Sequence, residues 1–257
     1  MPEIIRVDVP HGQMSIARQG SGPAVVLLHQ TPRSWDEYRD VIPLLAASGR
    51  TAIAIDTPGF GDSHPVDEPS IHAWATAAHH ALDALGVDTA AVVGHHTGGS
   101  IAVELAAQRP ERVTALVLSS TALTDADYRA TPPDESSVDA GEDAGSLRAS
   151  RAGFYPADRP DLLDRYVEGA LRAGHLARAG HHVVASYEME HALDKLTMPV
   201  LLIGATEDPY AHPQLERFAR ALPHAEVVEI QGGMVPLPDG WPDEFAAAVL
   251  NFLDSVA

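Results

Sequence analysis

Cysteine is absent from the 257-residue chain, which removes disulfides, thiolate nucleophiles, zinc–thiolate sites and iron–sulfur clusters from consideration. Basic residues are scarce: 17 Lys and Arg stand against 36 Asp and Glu, a formal charge of -19. Affinity for phosphate backbones comes from cationic side chains, so nucleic acid is excluded as an expected partner. No apolar run has the length needed to cross a bilayer. The opening Met1-Pro2-Glu3-Ile4-Ile5-Arg6 also lacks the basic-then-apolar pattern of a secretory signal. A cytoplasmic location without membrane association is the expectation. What the chain does have, 45% hydrophobic residues, suffices for one principal core.

Histidine is plentiful, with 14 residues, and the pairs His79-His80 and His181-His182 could pass for metal ligands. Neighbours on a helix point apart, so each pair makes a poor chelate and reads as surface or boundary residues. No metal and no other cofactor is expected.

Along the chain, short β-branched runs alternate with amphipathic stretches, as in a mostly parallel sheet interleaved with helices. Residues 4–9 and 13–18 read as an antiparallel hairpin and residues 24–29 as a buried strand. A helix over 35–47, a strand over 51–56 and a helix over 71–85 follow. A strand at 89–94 then runs directly into a helix at 97–108, which Pro110 ends, and residues 113–119 form another buried strand. Between 121 and 191 the character changes. Residues 131–145, rich in Pro, Asp, Glu, Gly and Ser, read as a flap-like loop, and residues 161–172 and 183–193 as helices. Alternation resumes with a strand at 200–204, a helix at 212–222, a strand at 226–230 and a helix at 242–255 that opens on Pro242. The expected organisation is a core of residues 1–120 and 192–257 interrupted by a cap insertion at 121–191.

At the strand-to-helix junction stands Val92-Val93-Gly94-His95-His96-Thr97-Gly98-Gly99. It resembles the nucleophile elbow of the α/β-hydrolase family, a G-x-S-x-G turn that lifts a serine above the sheet and needs small residues because the turn is tight. His29-Gln30-Thr31-Pro32-Arg33-Ser34 resembles the family's His-Gly-x-Pro loop, whose backbone donors form part of the oxyanion hole. Asp56-Thr57-Pro58-Gly59-Phe60-Gly61-Asp62-Ser63 is similar to its D-x-x-G-x-G-x-S loop. Gly204-Ala205-Thr206-Glu207-Asp208-Pro209 lies where the family carries its acid, with Asp208 the better candidate and Glu207 the second. Gly232-Gly233-Met234 resembles the segment that normally reads Gly-Gly-His. The resemblance covers nearly the whole chain. It implies a mostly parallel eight-stranded sheet flanked by helices, with a helical cap over its carboxyl edge, where such sheets bind ligands.

By this resemblance the serine position holds His96 and the histidine position holds Met234, so hydrolysis through an acyl-serine is not expected. His96 and Asp208 are the candidate catalytic pair. Thr31 and Thr97 are the candidate backbone donors, with Gln30 as a further oxyanion or substrate-binding position and His29 read as structural, with lining of the pocket floor as its alternative. Arg33 is a candidate for holding a substrate carboxylate or phenolate, against the commoner fate of a salt bridge. Met234 reads as a packing residue, His95 as structural, Asp56 as a loop-organising acceptor and Asp125 as a substitute acid. Tyr187, Glu188, Glu190 and His191 have the spacing of either a substrate-facing or an exposed helix face.

The expected function is a cofactor-independent enzyme acting on a small, largely apolar molecule by proton transfer and oxyanion stabilisation, of lyase, decarboxylase, isomerase or cyclase type. Two alternatives stay open: a hydrolase in which His96 activates water as general base, and a non-catalytic ligand-binding protein with the same fold. A homodimer also stays open.

Overall fold

The computed structural model of the protein describes residues 1–130 and 143–257; the flap expected over residues 131–145 falls almost wholly outside them. The chain opens with β1 (Glu3–Val9) and β2 (Gly12–Gly20), which pair antiparallel with Val9 opposite Gly12. Then come β3 (Ala24–Leu28), β4 (Thr51–Ile55), β5 (Ala90–His95), β6 (Val113–Ser119), β7 (Val200–Ala205) and β8 (Glu226–Ile230). The sheet order is β1-β2-β4-β3-β5-β6-β7-β8, with the two pairings of β2 antiparallel and all others parallel. The inner strands are continuous apolar runs because helices cover both faces. The edge strand β8 instead exposes Glu226 and Glu229 beside two valines, charges that discourage a further strand from pairing there.

α1 (Val41–Ala47) and α11 (Pro242–Ser255) pack on one face, burying Val41, Leu45, Phe245 and Val249 against Leu27, Val93 and Val117. α2 (Ile71–Ala84) and α3 (Thr97–Gln108) cover the other, where Trp74, Ile101 and Leu105 meet Val26, Val92 and Leu116. The helix expected over 35–47 is divided into a 3-10 turn at Trp35–Tyr38 and α1. Pro43 has no N–H to offer the carbonyl of Arg39, so one helix cannot run through both.

Between β6 and β7 lie α4 (Ala126–Ala130), α5 (Ala144–Arg151), α6 (Pro160–Ala173), α7 (His175–Ala185) and α8 (Glu190–Leu193). The helix expected at 183–193 is the end of α7 and the whole of α8. The break falls where Met189 donates its N–H to the Thr124 carbonyl (3.2 Å) and buries its side chain completely in the core. Likewise the helix expected at 212–222 is a 3-10 turn, His212–Gln214, followed by α9 (Leu215–Ala221). A last short helix, α10 (Leu237–Gly240), precedes α11.

α5–α7 share a small core of their own around Leu147, Leu162, Tyr166 and Ala177. Glycines seat α6 and α7 on the loop that leaves β3. A Cβ on Gly169 would stand 3.0 Å from the Pro32 carbonyl, and one on Gly180 would stand 2.7 Å from the Thr31 methyl. Beneath them the crossover from β4 to β5 passes β3, so the carboxyl ends of β3 and β5 form the switch point at which open α/β sheets bind ligands.

The tightest approach to backbone in this frame is at Gly98, where a Cβ would overlap the Leu28 carbonyl oxygen, and backbone cannot give way there as a flexible side chain can. Gly98→Ala is expected to cost about 3 kcal/mol or more, read as a lowered midpoint in urea unfolding followed by circular dichroism.

Candidate active site

At the end of β5 the chain turns into α3 through His96, whose φ of 47° and ψ of -114° lie where a side chain is rarely tolerated. Such a conformation costs about 1–3 kcal/mol and persists only when its surroundings fix it. Here the His96 N–H donates to the Ser119 carbonyl (3.0 Å) and the His96 carbonyl accepts from Gly99 (2.9 Å). Gly94, Gly98 and Gly99 provide the room: a Cβ on any of them would collide with Gly98, Leu28 or Thr121. The turn thus has the form expected of a nucleophile elbow, with imidazole on its tip.

His96 Nε2 lies 2.9 Å from Asp208 Oδ2, a close contact that is not aligned as a good hydrogen bond. Asp208 is buried on the turn after β7, where its Oδ1 accepts the N–H groups of Tyr210 (2.9 Å) and Ala211 (3.1 Å). Burial alone would raise this carboxyl, but His96 and the two N–H donors outweigh it and hold it at about 2. Glu207, the second candidate, is exposed. His95 is buried beneath the elbow: its Nε2–H donates to the Val235 carbonyl (2.9 Å) and its Nδ1 accepts from the Ser119 hydroxyl (3.0 Å). Burial and the neighbouring His96 push it down to about 3, so it is a neutral support.

Above the elbow is a cavity of about 420 Å³, of the size that takes a small organic molecule. Gln30, Thr31, His96, Thr97 and Ser100 line its floor; Tyr155 and Tyr166, with His181 of α7, line it from the segment between β6 and β7. Among the described residues neither the Thr31 nor the Thr97 N–H has a hydrogen-bond partner, leaving two backbone donors beside His96.

The other expected binding residues are used up by the fold. Gln30 lines the cavity, but its N–H goes to Glu37 Oε2 (2.9 Å) and its side-chain amide to Glu37 Oε1 (2.6 Å). His29 does not line the cavity: Nε2 accepts from the Thr57 N–H (3.0 Å), Nδ1–H donates to the Gln30 carbonyl (2.8 Å), and burial lowers it to about 4. Arg33 is corrected too. It is wholly buried, paired with Asp239 of α10 and with Asp36 (2.9 Å), and cannot reach a ligand in the cavity. Asp239 also accepts from Arg165 of α6 (2.8 Å).

Met234 is half-buried and leaves the cavity wall to Val235. Asp56 accepts the Trp35 N–H (2.7 Å) and the Asp62 N–H (3.0 Å), organising its loop. Asp125 pairs with Arg217 and caps α4 through the Tyr128 N–H (3.0 Å). Of the helix-face candidates, Tyr187 binds Glu104 (2.9 Å), Glu190 binds Arg129 (2.5 Å), and Glu188 and His191 are exposed, so none lines the cavity.

His181 is the residue that sequence reasoning set aside wrongly. Its Nδ1 bonds the Ala177 carbonyl (2.9 Å), and burial followed by the Arg151 charge lowers it to about 4. The spacing of Ala177, His181 and Val184 on one helical face was the available signal.

Residues 23–240 match the family model described as alpha/beta hydrolase fold, and the chain belongs to that family. Epoxide hydrolase 2 of Siraitia grosvenorii is 40% identical over 111 residues, 40% of this chain and 34% of that protein. Polyketide synthase ThaQ of Burkholderia thailandensis is 30% identical over 96% of this chain but only 12% of its own length. Among solved structures, the epoxide hydrolase CorEH superposes with a TM-score of 0.76 at 24% identity, covering all of both chains. The chain spans 23 to 37% of the length of the first three curated epoxide hydrolases it matches. These relatives overturn the expected lyase, decarboxylase, isomerase or cyclase chemistry: the first curated relatives matched, and the superposed CorEH, are named epoxide hydrolases.

Two outcomes follow from the charges. Arg33→Ala strands a buried Asp239 and is expected to destabilise by about 3–5 kcal/mol, seen as a fall in Tm. Because Asp208 titrates lower in the native state than unfolded, its stabilisation is complete above about pH 4 and disappears as pH falls toward about 2. The stability gap between wild type and Asp208→Asn should therefore close over that acid window in denaturant titrations.

Proposed function

We propose that the protein is a hydrolase of small, largely apolar carboxylic esters, in which His96 activates water directly and no acyl-serine forms. The observation that carries this reading is the imidazole on the elbow tip, on the floor of a cavity and 2.9 Å from a buried carboxylate. The family's hydrolase relatives and the two free backbone donors support it.

In the proposed step a water occupies the space beside His96. Asp208 orients the ring through Nε2, and Nδ1, which has no partner among the described residues, takes the proton as the water oxygen bonds to the ester carbon. The carbonyl π electrons move to oxygen, where the N–H groups of Thr31 and Thr97 receive the charge. Collapse of the tetrahedral species breaks the bond to the leaving alkoxide, which takes the proton back from His96, giving acid and alcohol. The misaligned 2.9 Å contact tightens when substrate fills the cavity, as catalytic hydrogen bonds often do. Helices α4–α8 act as the cap over this site, and no cofactor enters the step.

The test is a panel of nitrophenyl esters and aryl epoxides. His96→Ala should lower kcat about 10²–10⁴-fold and Asp208→Asn about tenfold or more, while hydroxylamine traps no acyl-enzyme. A trapped acyl group on a serine would defeat the mechanism. Loss-free turnover in His96→Ala would remove His96 from it, and no turnover of any panel member, with tight retention of a ligand, would turn the reading to a binding protein.

A further inference from the structure

We propose that Glu37 is the positioning residue for oxyanion stabilisation, its buried carboxylate gripping Gln30 by both backbone and side chain so that the neighbouring Thr31 N–H points into the cavity. The inference rests on the hydrolytic reading above. Glu37 has no exposed surface, does not line the cavity, and cannot touch substrate. Its two oxygens are both engaged on one residue, Oε2 by the Gln30 N–H at 2.9 Å and Oε1 by the Gln30 amide at 2.6 Å.

The link from Glu37 to Thr31 is one rigid peptide plane. In a planar peptide the C=O and the following N–H point in opposite directions. The Gln30 carbonyl is held inward by two donors, His29 Nδ1–H (2.8 Å) and the Arg33 N–H (2.8 Å). The Thr31 N–H on the other side of that plane must therefore face away from the core, toward the cavity that Thr31 lines. Holding the carbonyl alone leaves the plane free to rock about its ends; the double grip on Gln30 removes that freedom at the preceding residue.

The grip is costly to folding, which separates it from ordinary packing. Burial, with Asp239 adding to it, pushes the Glu37 carboxyl up to about 7, against the opposing Arg33 charge and the Gln30 bonds. The groups facing it are Arg33 on the loop before it, the adjacent Tyr38, Asp239 from α10, and Tyr155 from the segment between β6 and β7. A carboxyl that titrates higher folded than unfolded loses stability for the native state as pH rises from about 4.5 to about 7, and the loss is complete above that.

Glu37→Gln keeps the shape but can no longer accept both Gln30 donors, and Glu37→Asp keeps the charge but withdraws it by one methylene. Both are expected to lower kcat about 10- to 100-fold with KM within about twofold of wild type, a fraction of what loss of a whole oxyanion donor costs. Both should also weaken binding of an aryl methylphosphonate monoanion, a mimic of the tetrahedral species, by the same factor. Tm of Glu37→Gln at pH 8 should be no lower than that of wild type, and its decline between about pH 5 and 7 should flatten. Unchanged kcat and phosphonate affinity in both variants would overturn the proposal, as would a loss of kcat that merely follows a loss of Tm. If wild type itself neither turns over esters nor binds the phosphonate, it is the hydrolytic reading that fails, and this role with it.

Discussion

A histidine backbone held in left-handed territory is the constraint from which the rest of the site follows. The elbow can close only because β5 and α3 come together through Gly94, Gly98 and Gly99, with the Leu28 carbonyl against the first turn of α3. That closeness is what brings the ends of β3 and β5 side by side, and with them Thr31 and Thr97. The side chain on the strained residue has no choice of direction. It projects over the sheet, where the turn after β7 presents Asp208, a carboxylate whose burial is tolerable because His96 and two N–H groups surround it. Backbone strain, strand order and the placement of one acid are thus a single arrangement.

A second set of charges does not touch the cavity and holds its parts in register. Arg33 on the loop after β3, Asp239 on α10 and Arg165 on α6 join three segments that are far apart in the chain. A buried ion pair of this kind contributes little net stability compared with apolar packing of the same shape, but breaking it is expensive. It therefore acts chiefly to specify which surfaces meet. The segment after β8, where Met234 stands, is in this protein a structural latch: Asp239 secures the loop, and the Val235 carbonyl secures His95.

The framework was legible because its signals are local. Gly94 to Gly99 announces the elbow, and the bounds of α3, β6, β8 and α11 follow from apolar periodicity and from Pro110 and Pro242. Asp208 was legible from its place after a late strand. What could not be read was the destination of polar side chains whose partners are remote in sequence. Arg33 stood open between a substrate ligand and a salt bridge because nothing near it announces Asp239, 206 residues later. Gln30 read as an oxyanion position, yet Glu37 consumes its donors, while His29, read as structural or lining the pocket floor, is structural and is held by Thr57 and the Gln30 carbonyl. The single helix read over 183–193 missed the start of α7 at His175, where the bareness of Gly180 lets the helix sit on Thr31.

That bareness has a mechanical corollary. At Gly180 there is no side chain to cushion the contact, so α7 rests almost directly on the methyl of Thr31, while Gly169 brings α6 close to the Pro32 carbonyl. The roof and the floor of the chamber are in hard contact rather than separated by pliable atoms. A side chain added at either glycine would displace the helix above and the loop below it together, so the two cannot be altered independently.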